Sequence, residues 1–151
     1  MQIEHILVPI DFSSDADNAL EMAISLAREL GSRITLLHVI HDVYVGVGEM
    51  AAALPTSYYE EIEAGVNNEI QTYLNKVVEA GLQGESIVVH GVPFQCILDS
   101  AETQNIDLIV MGTHGRTGLK HVLLGSVAEK VIRMATCPVM VTRPTPDANH
   151  Q

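Results

Sequence analysis

Five short apolar segments recur along the 151 residues: IEHILVPI (3–10), RITLLHVI (33–40), SIVVHG (86–91), DLIVMG (107–112) and PVMVT (138–142). A helical pattern separates each from the next. Parallel neighbours cannot be joined by a tight turn, and a right-handed crossover lays its helix back on the sheet, so this alternation predicts an α/β fold with helices on both faces. The segments are apolar almost throughout rather than at every second residue, as strands buried on both sides are. The expected architecture is an open five-stranded parallel sheet, Rossmann-like, in one domain.

The helical segments carry their own punctuation. Ser13, Ser14, Asp15 and Asp17 supply helix-start chemistry after the first strand; Ala16, Leu20, Ala23, Ile24, Ala27 and Leu30 share one face, and Gly31 stands where a left-handed residue would stop the helix. Ser57 with Glu60 reads as a capping box for a long helix whose inward face is Ile62, Val66, Ile70, Leu74 and Val77, closed by Gly81. Pro93 suits a helical first turn, with Phe94, Ile97, Leu98 and Ala101 inward. Ser126 with Glu129 reads as a second capping box, ahead of Val127, Ala128, Val131, Ile132 and Ala135. The connection over 41–57 is long for a compact domain and fits either a lid or a surface excursion. The last residues, 145–151, read as a flexible tail beyond a domain spanning 1–144.

Charge narrows the function. The net charge of −11 argues against nucleic-acid binding, which draws on clustered Lys and Arg. Yet residues 108–143 hold five basic side chains against one acid, so that stretch carries +4 and the rest −15. No apolar run approaches the roughly 18 residues of a membrane span, and MQIEHILVPID shows no basic leader, which points to the cytoplasm. Cys96 and Cys137 are far apart and read as buried reduced thiols. His38 and His41 straddle a strand end with no third ligand in view, so no metal site is assigned.

The locally basic stretch contains MGTHGRTGLKHVLLGSVAEK, residues 111–130, with four of the eleven glycines. Ligands of open parallel sheets bind beyond the carboxyl ends of the strands, where connections diverge. Gly112, Gly115, Gly118 and Gly125 allow positive φ and close approach, so backbone amides can surround an anion, and the start of the next helix adds a favourable dipole. Ser126 can cap that helix, meet a phosphate oxygen, or do both. His114, Arg116 and Lys120 read equally as solvated loop residues. Asp11, ending the first strand, fits an Asx turn or a carboxylate that accepts both hydroxyls of a ribose. A P-loop lysine motif is absent.

The spacing Gly112-x2-Gly115-x9-Gly125-Ser126 resembles the G-x2-G-x9-G-[ST] signature of the ATP-binding branch of the universal stress protein family. ILVPIDFS (6–13), LLHVI (36–40), GVPFQCIL (91–98) and CPVMVTRP (137–144) are similar to its other segments, in order. The resemblance implies sheet order 3-2-1-4-5, with Asp11 facing the glycine loop across a crevice. It implies that Pro9, Asp11 and Val39 line the adenosine part of ATP, that Met111 and Gly112 lie along the nucleotide, and that His114, Gly115, Gly125, Ser126 and Val127 approach the phosphates. Arg116 joins that set on charge grounds. Ala128 stands where many relatives have a hydroxyl. Mg2+ is an optional companion of the ATP, and a homodimer through 138–142 is implied. The expected role is a nucleotide-dependent stress or signalling module read by a protein partner, the alternative a slow ATPase or phosphotransferase. A flavin module is the least supported.

Overall fold

The computed structural model describes residues 1–41, 55–114 and 124–143. The 42–54 part of the long connection, Gly115, Arg116, Gly118, Lys120 and the tail fall outside them. Among the described residues the chain runs β1 (His5–Pro9), α1 (Ser14–Leu30), β2 (Arg33–Ile40), α2 (Thr56–Glu79), β3 (Gly84–His90), α3 (Pro93–Thr103), β4 (Leu108–Gly112), α4 (Ser126–Met134) and β5 (Val139–Thr142). The strands form one sheet in the order β3-β2-β1-β4-β5, and every neighbouring pair is parallel.

Strand alternation divides the core in two. Ile6, Val8, Leu36 and Val110 face α1 and α2, while Leu7, Leu37, Ile109 and Met111 face α3 and α4. Fixed crossover handedness gives this division a cause. The chain moves outward from β1 to β3 with its helices on one face, then returns across β1 to β4 and continues with helices on the other. The connections leaving β1 and β4 therefore diverge, and a crevice opens between them.

The helices follow their sequence signals in part. Ser13 caps α1, accepting from the Ala16 amide at 3.2 Å, and Gly31 ends it in the left-handed region at φ 71°. Leu30, expected inward, is 51% exposed, and Ala19 is buried instead. Neither expected capping box forms. α2 begins one residue before Ser57, after Pro55, which has no side-chain acceptor to offer. α4 begins at Ser126 itself, with Gly125 in the capping position and no side-chain cap. A serine already inside the first turn is past the point from which its hydroxyl serves the helix amides.

Exposure corrects two more faces. α2 buries Ile70, Tyr73 and Val77, whereas Ile62 is exposed. Twenty-four helical residues span roughly 36 Å and the seven of β3 only about 23 Å, so the first half of α2 overruns the sheet. In α4, Ala128 and Val131 are buried but Ile132 is 46% exposed. Cys96 and Cys137 are half-buried rather than buried, and burial raises the Cys137 thiol above its usual range.

At the amino ends of the strands, opposite the crevice, buried His5 shares a hydrogen bond with Thr35 (2.7 Å), whose hydroxyl donates to Glu85 (2.9 Å). Burial first, and the nearby Arg33 second, hold the His5 imidazole below its ordinary pKa of 6.5.

Candidate functional site

Beyond the carboxyl ends of β1 and β4 lies a cavity of about 530 Å³. It takes a wall from each element that reaches the crevice. Pro9 and Asp11 come from the end of β1, Val39 from β2, and Met111, Gly112 and His114 from the end of β4 and just past it. Gly125, Ser126 and Val127 enter from the start of α4. Nine of the eleven residues singled out from the sequence thus share one space. The other two, Gly115 and Arg116, lie outside the described residues.

Asp11 adopts the Asx turn. Its Oδ1 accepts from the Ser13 amide at 3.0 Å and from the Ser13 hydroxyl, which links it to the α1 cap. That bonding occupies one carboxylate oxygen, so the turn and a polar contact with a ligand are compatible at the same residue.

Val39 contributes backbone rather than side-chain chemistry. The Leu37 carbonyl accepts from the Ile10 amide (2.8 Å), on the β1 side, whereas the Ile40 carbonyl accepts from Gly91 (3.0 Å), on the β3 side. Successive residues alternate, so the N–H and C=O of Val39 fall on the β1 side, beyond Pro9 where β1 has ended. A donor and an acceptor stand side by side there.

A buried acid secures the other rim. Asp15, in the first turn of α1, accepts at Oδ2 from the His114 amide (2.8 Å) and from the Thr113 hydroxyl (3.2 Å), with His114 Nδ1 3.4 Å away. Gly112 is needed for this approach. Its φ is not positive; a Cβ there would lie 2.7 Å from the Asp15 Cβ and 2.9 Å from the Asp15 carbonyl oxygen. Gly125, likewise expected to use glycine's freedom, has an ordinary φ of −69°. Its amide donates to the Thr113 carbonyl at 2.6 Å, bringing the start of α4 against the end of β4.

The facing wall is mostly apolar, with Phe94 and Ile97 from α3 and Ala128 from α4. Lys130 also lines the cavity, its Nζ 4.7 Å from the centre of the Phe94 ring. In the sequence Lys130 stands out only as one of the five basic side chains of 108–143, and Asp15 only as helix-start chemistry. Lys130 stands four residues after Ser126, hence on the same helical face, which is the signal that could have found it. Nothing local marks Asp15 as a latch. Together the walls supply an apolar slot, a backbone donor–acceptor pair, a carboxylate, and helix amides with a lysine nearby. Such a set suits a flat heteroaromatic ring joined through a polyol to an anion.

Known proteins are similar to this chain along nearly its whole length. The family model described as the universal stress protein family matches residues 2–143. Universal stress protein YxiE of Bacillus subtilis is 35% identical, over 91% of this chain and 97% of its own. The solved structure of hypothetical protein MJ0577, from Methanocaldococcus jannaschii, superposes with a TM-score of 0.85 at 30% identity, covering 96% of this chain and 99% of that one. A universal stress protein from Archaeoglobus fulgidus, solved in complex with dAMP, gives a TM-score of 0.65 at 25% identity over 93% and 98%. With the sheet order, the crevice and a match along nearly its whole length in agreement, this chain belongs to the universal stress protein family.

Proposed function

We propose that the crevice binds ATP and that the chain works as a nucleotide-dependent stress or signalling module. The observation that carries this reading is the convergence on one cavity of Asp11, the Val39 backbone and the uncapped start of α4. Its volume lies within the usual range for small-ligand pockets, about 300–1,000 Å³. The dAMP bound to the A. fulgidus relative supports an adenine nucleotide.

Each part of the nucleotide has a partner in this reading. Adenine offers N1 as acceptor and its amino group as donor, which complements the Val39 N–H and C=O; guanine presents the opposite pattern there. Pro9 and Met111 flank the base and sugar. Asp11 takes the ribose hydroxyls with the carboxylate oxygen that Ser13 leaves over. Gly112 lies along the nucleotide; His114, Gly125, Ser126 and Val127 surround the phosphates, with Gly115 completing that shell on the strength of the family signature and Arg116 on the strength of its charge. Mg2+, where it accompanies ATP, is held mainly by the phosphates, as is usual for this ion.

The proposal extends to the whole domain, residues 1–144, with 145–151 as a flexible tail, and to a cytoplasmic homodimer built on β5. Binding rather than dedicated catalysis is favoured because Asp15, the buried acid nearest the phosphate end, is committed to His114 and Thr113. The test is calorimetry with ATP and GTP. ATP should bind in the micromolar range, roughly −8 kcal/mol, and GTP at least tenfold more weakly. Asp11→Ala should weaken ATP. Equal titrations by wild type and Asp11→Ala would refute the site assignment.

A further inference from the structure

The turn that carries Asp11 contains an aromatic residue in a conformation aromatic residues avoid. Phe12 has φ 64°, in the left-handed region where glycine or asparagine is the ordinary choice. Asn105, at φ 52°, is the other non-glycine residue with positive φ among the described residues, and its short side chain tolerates it. For Phe12 the contacts of the ring must offset the unfavourable backbone.

Those contacts are specific. The Phe12 ring stacks on His38, with centroids 4.5 Å apart and planes at 27°, and touches the Tyr73 ring of α2 at 5.6 Å. His38 is itself fixed, its Nδ1–H donating to the Ile10 carbonyl at 2.7 Å. Ile10 in turn donates through its amide to Leu37 at 2.8 Å. The residues on both sides of Asp11 are therefore tied to the end of β2. The left-handed step at Phe12 also reverses the chain, so that the Ser13 amide and hydroxyl return to Asp11 Oδ1. Ring, imidazole and Asx turn form one clamp, and the Asp11 carboxylate is what it holds.

We propose that Phe12 is a positioning residue: stacked on His38, it fixes the Asp11 carboxylate toward the cavity and thereby sets selectivity for a nucleotide with both ribose hydroxyls. This rests on the nucleotide reading above. Phe12 touches no ligand in this scheme. Its effect reaches the ligand only through Asp11, so losing the ring should remove discrimination at the sugar without weakening contacts to base or phosphates.

The experiment compares ATP with 2′,3′-dideoxy-ATP by calorimetry on wild type, Phe12→Ala, Phe12→Gly and Phe12→Tyr, with thermal melts alongside. Glycine accepts φ 64° without strain, so Phe12→Gly retains the backbone if alanine does not fold. Wild type should prefer ATP by about tenfold, the loss expected when a charged acceptor is denied its donors. Phe12→Ala and Phe12→Gly should bring that ratio below about twofold with affinity for the dideoxy nucleotide unchanged, while Phe12→Tyr keeps the wild-type ratio. If wild type discriminates and Phe12→Gly discriminates equally, this inference is overturned and the nucleotide site stands. If wild type binds ATP and the dideoxy analogue alike, the Asp11 role fails and takes the inference with it. If wild type binds neither, the nucleotide reading itself is refuted.

Discussion

The backbone amide of His114 donates to the Asp15 carboxylate at 2.8 Å, joining the end of β4 to the first turn of α1 across 99 residues of sequence. The bond brings the two diverging connections of the sheet together at the crevice. It requires the last residue of β4 to pass close to the α1 backbone, and Gly112 is what permits that passage.

Gly112→Ala should therefore destabilise the fold by about 1–3 kcal/mol, the usual range for overpacking against atoms that cannot move aside. The clash is with Asp15 backbone atoms at 2.9 Å rather than with the tip of a flexible side chain. Urea unfolding of the variant measures the loss. A midpoint unchanged from wild type would show that the approach is looser than described.

Lys130→Met should weaken ATP roughly three- to tenfold and leave adenosine nearly unaffected, the size expected for one partly exposed charge. Methionine retains an apolar stem against Phe94. The salt dependence of ATP binding should become shallower in the variant, because one screened attraction is gone. Parallel losses for ATP and adenosine would instead assign Lys130 to wall packing alone.

These two cases mark where the sequence was legible and where it was not. The parallel sheet with helices on both faces follows from strong signals, five apolar runs and crossover handedness, and the strand order from the family resemblance. Gly112 was found for its place in a signature, but its physical reason, the approach to Asp15, exists only once β4 and α1 have packed. Of the roles open to Ser126 the cap does not form, because capping chemistry looks alike one residue either side of a helix start. Leu30 and Ile132 followed the helical period yet lie exposed near helix C-termini. Phe12 carried no sequence signal at all, since left-handed backbone at an aromatic residue is visible only in coordinates.

His5 gives the fold a pH dependence of its own. Its folded pKa lies below the ordinary 6.5, so between the two values the unfolded chain binds more protons. The stabilisation is complete above pH 6.5 and is lost as pH falls through the folded value. Denaturation at pH 7.5 and 5.5 should show wild type losing more stability than His5→Gln over that interval. Identical losses would mean that His5 does not titrate differently on folding.

β5 is an edge strand whose apolar residues are only half-buried. The Ile109 amide bonds to the Pro138 carbonyl, so by alternation Met140 also faces β4, while the polar backbone groups of Val139 and Val141 face the open edge. Val141→Pro removes one outward donor without touching the β4 ladder. Light scattering should give wild type about twice the 16.4 kDa chain mass and the variant the single-chain value. A wild-type monomer would dismiss the β5 dimer.

The most direct measurement is a 15N-resolved NMR titration of the full chain with ATP. The amides of Val39, Gly112, Ser126 and Val127 should shift together and saturate on one isotherm, with Val39 unmoved by tripolyphosphate. Saturating shifts confined to residues away from the β1–β4 crevice, or none at millimolar ATP, would contradict an adenine-nucleotide site at that position.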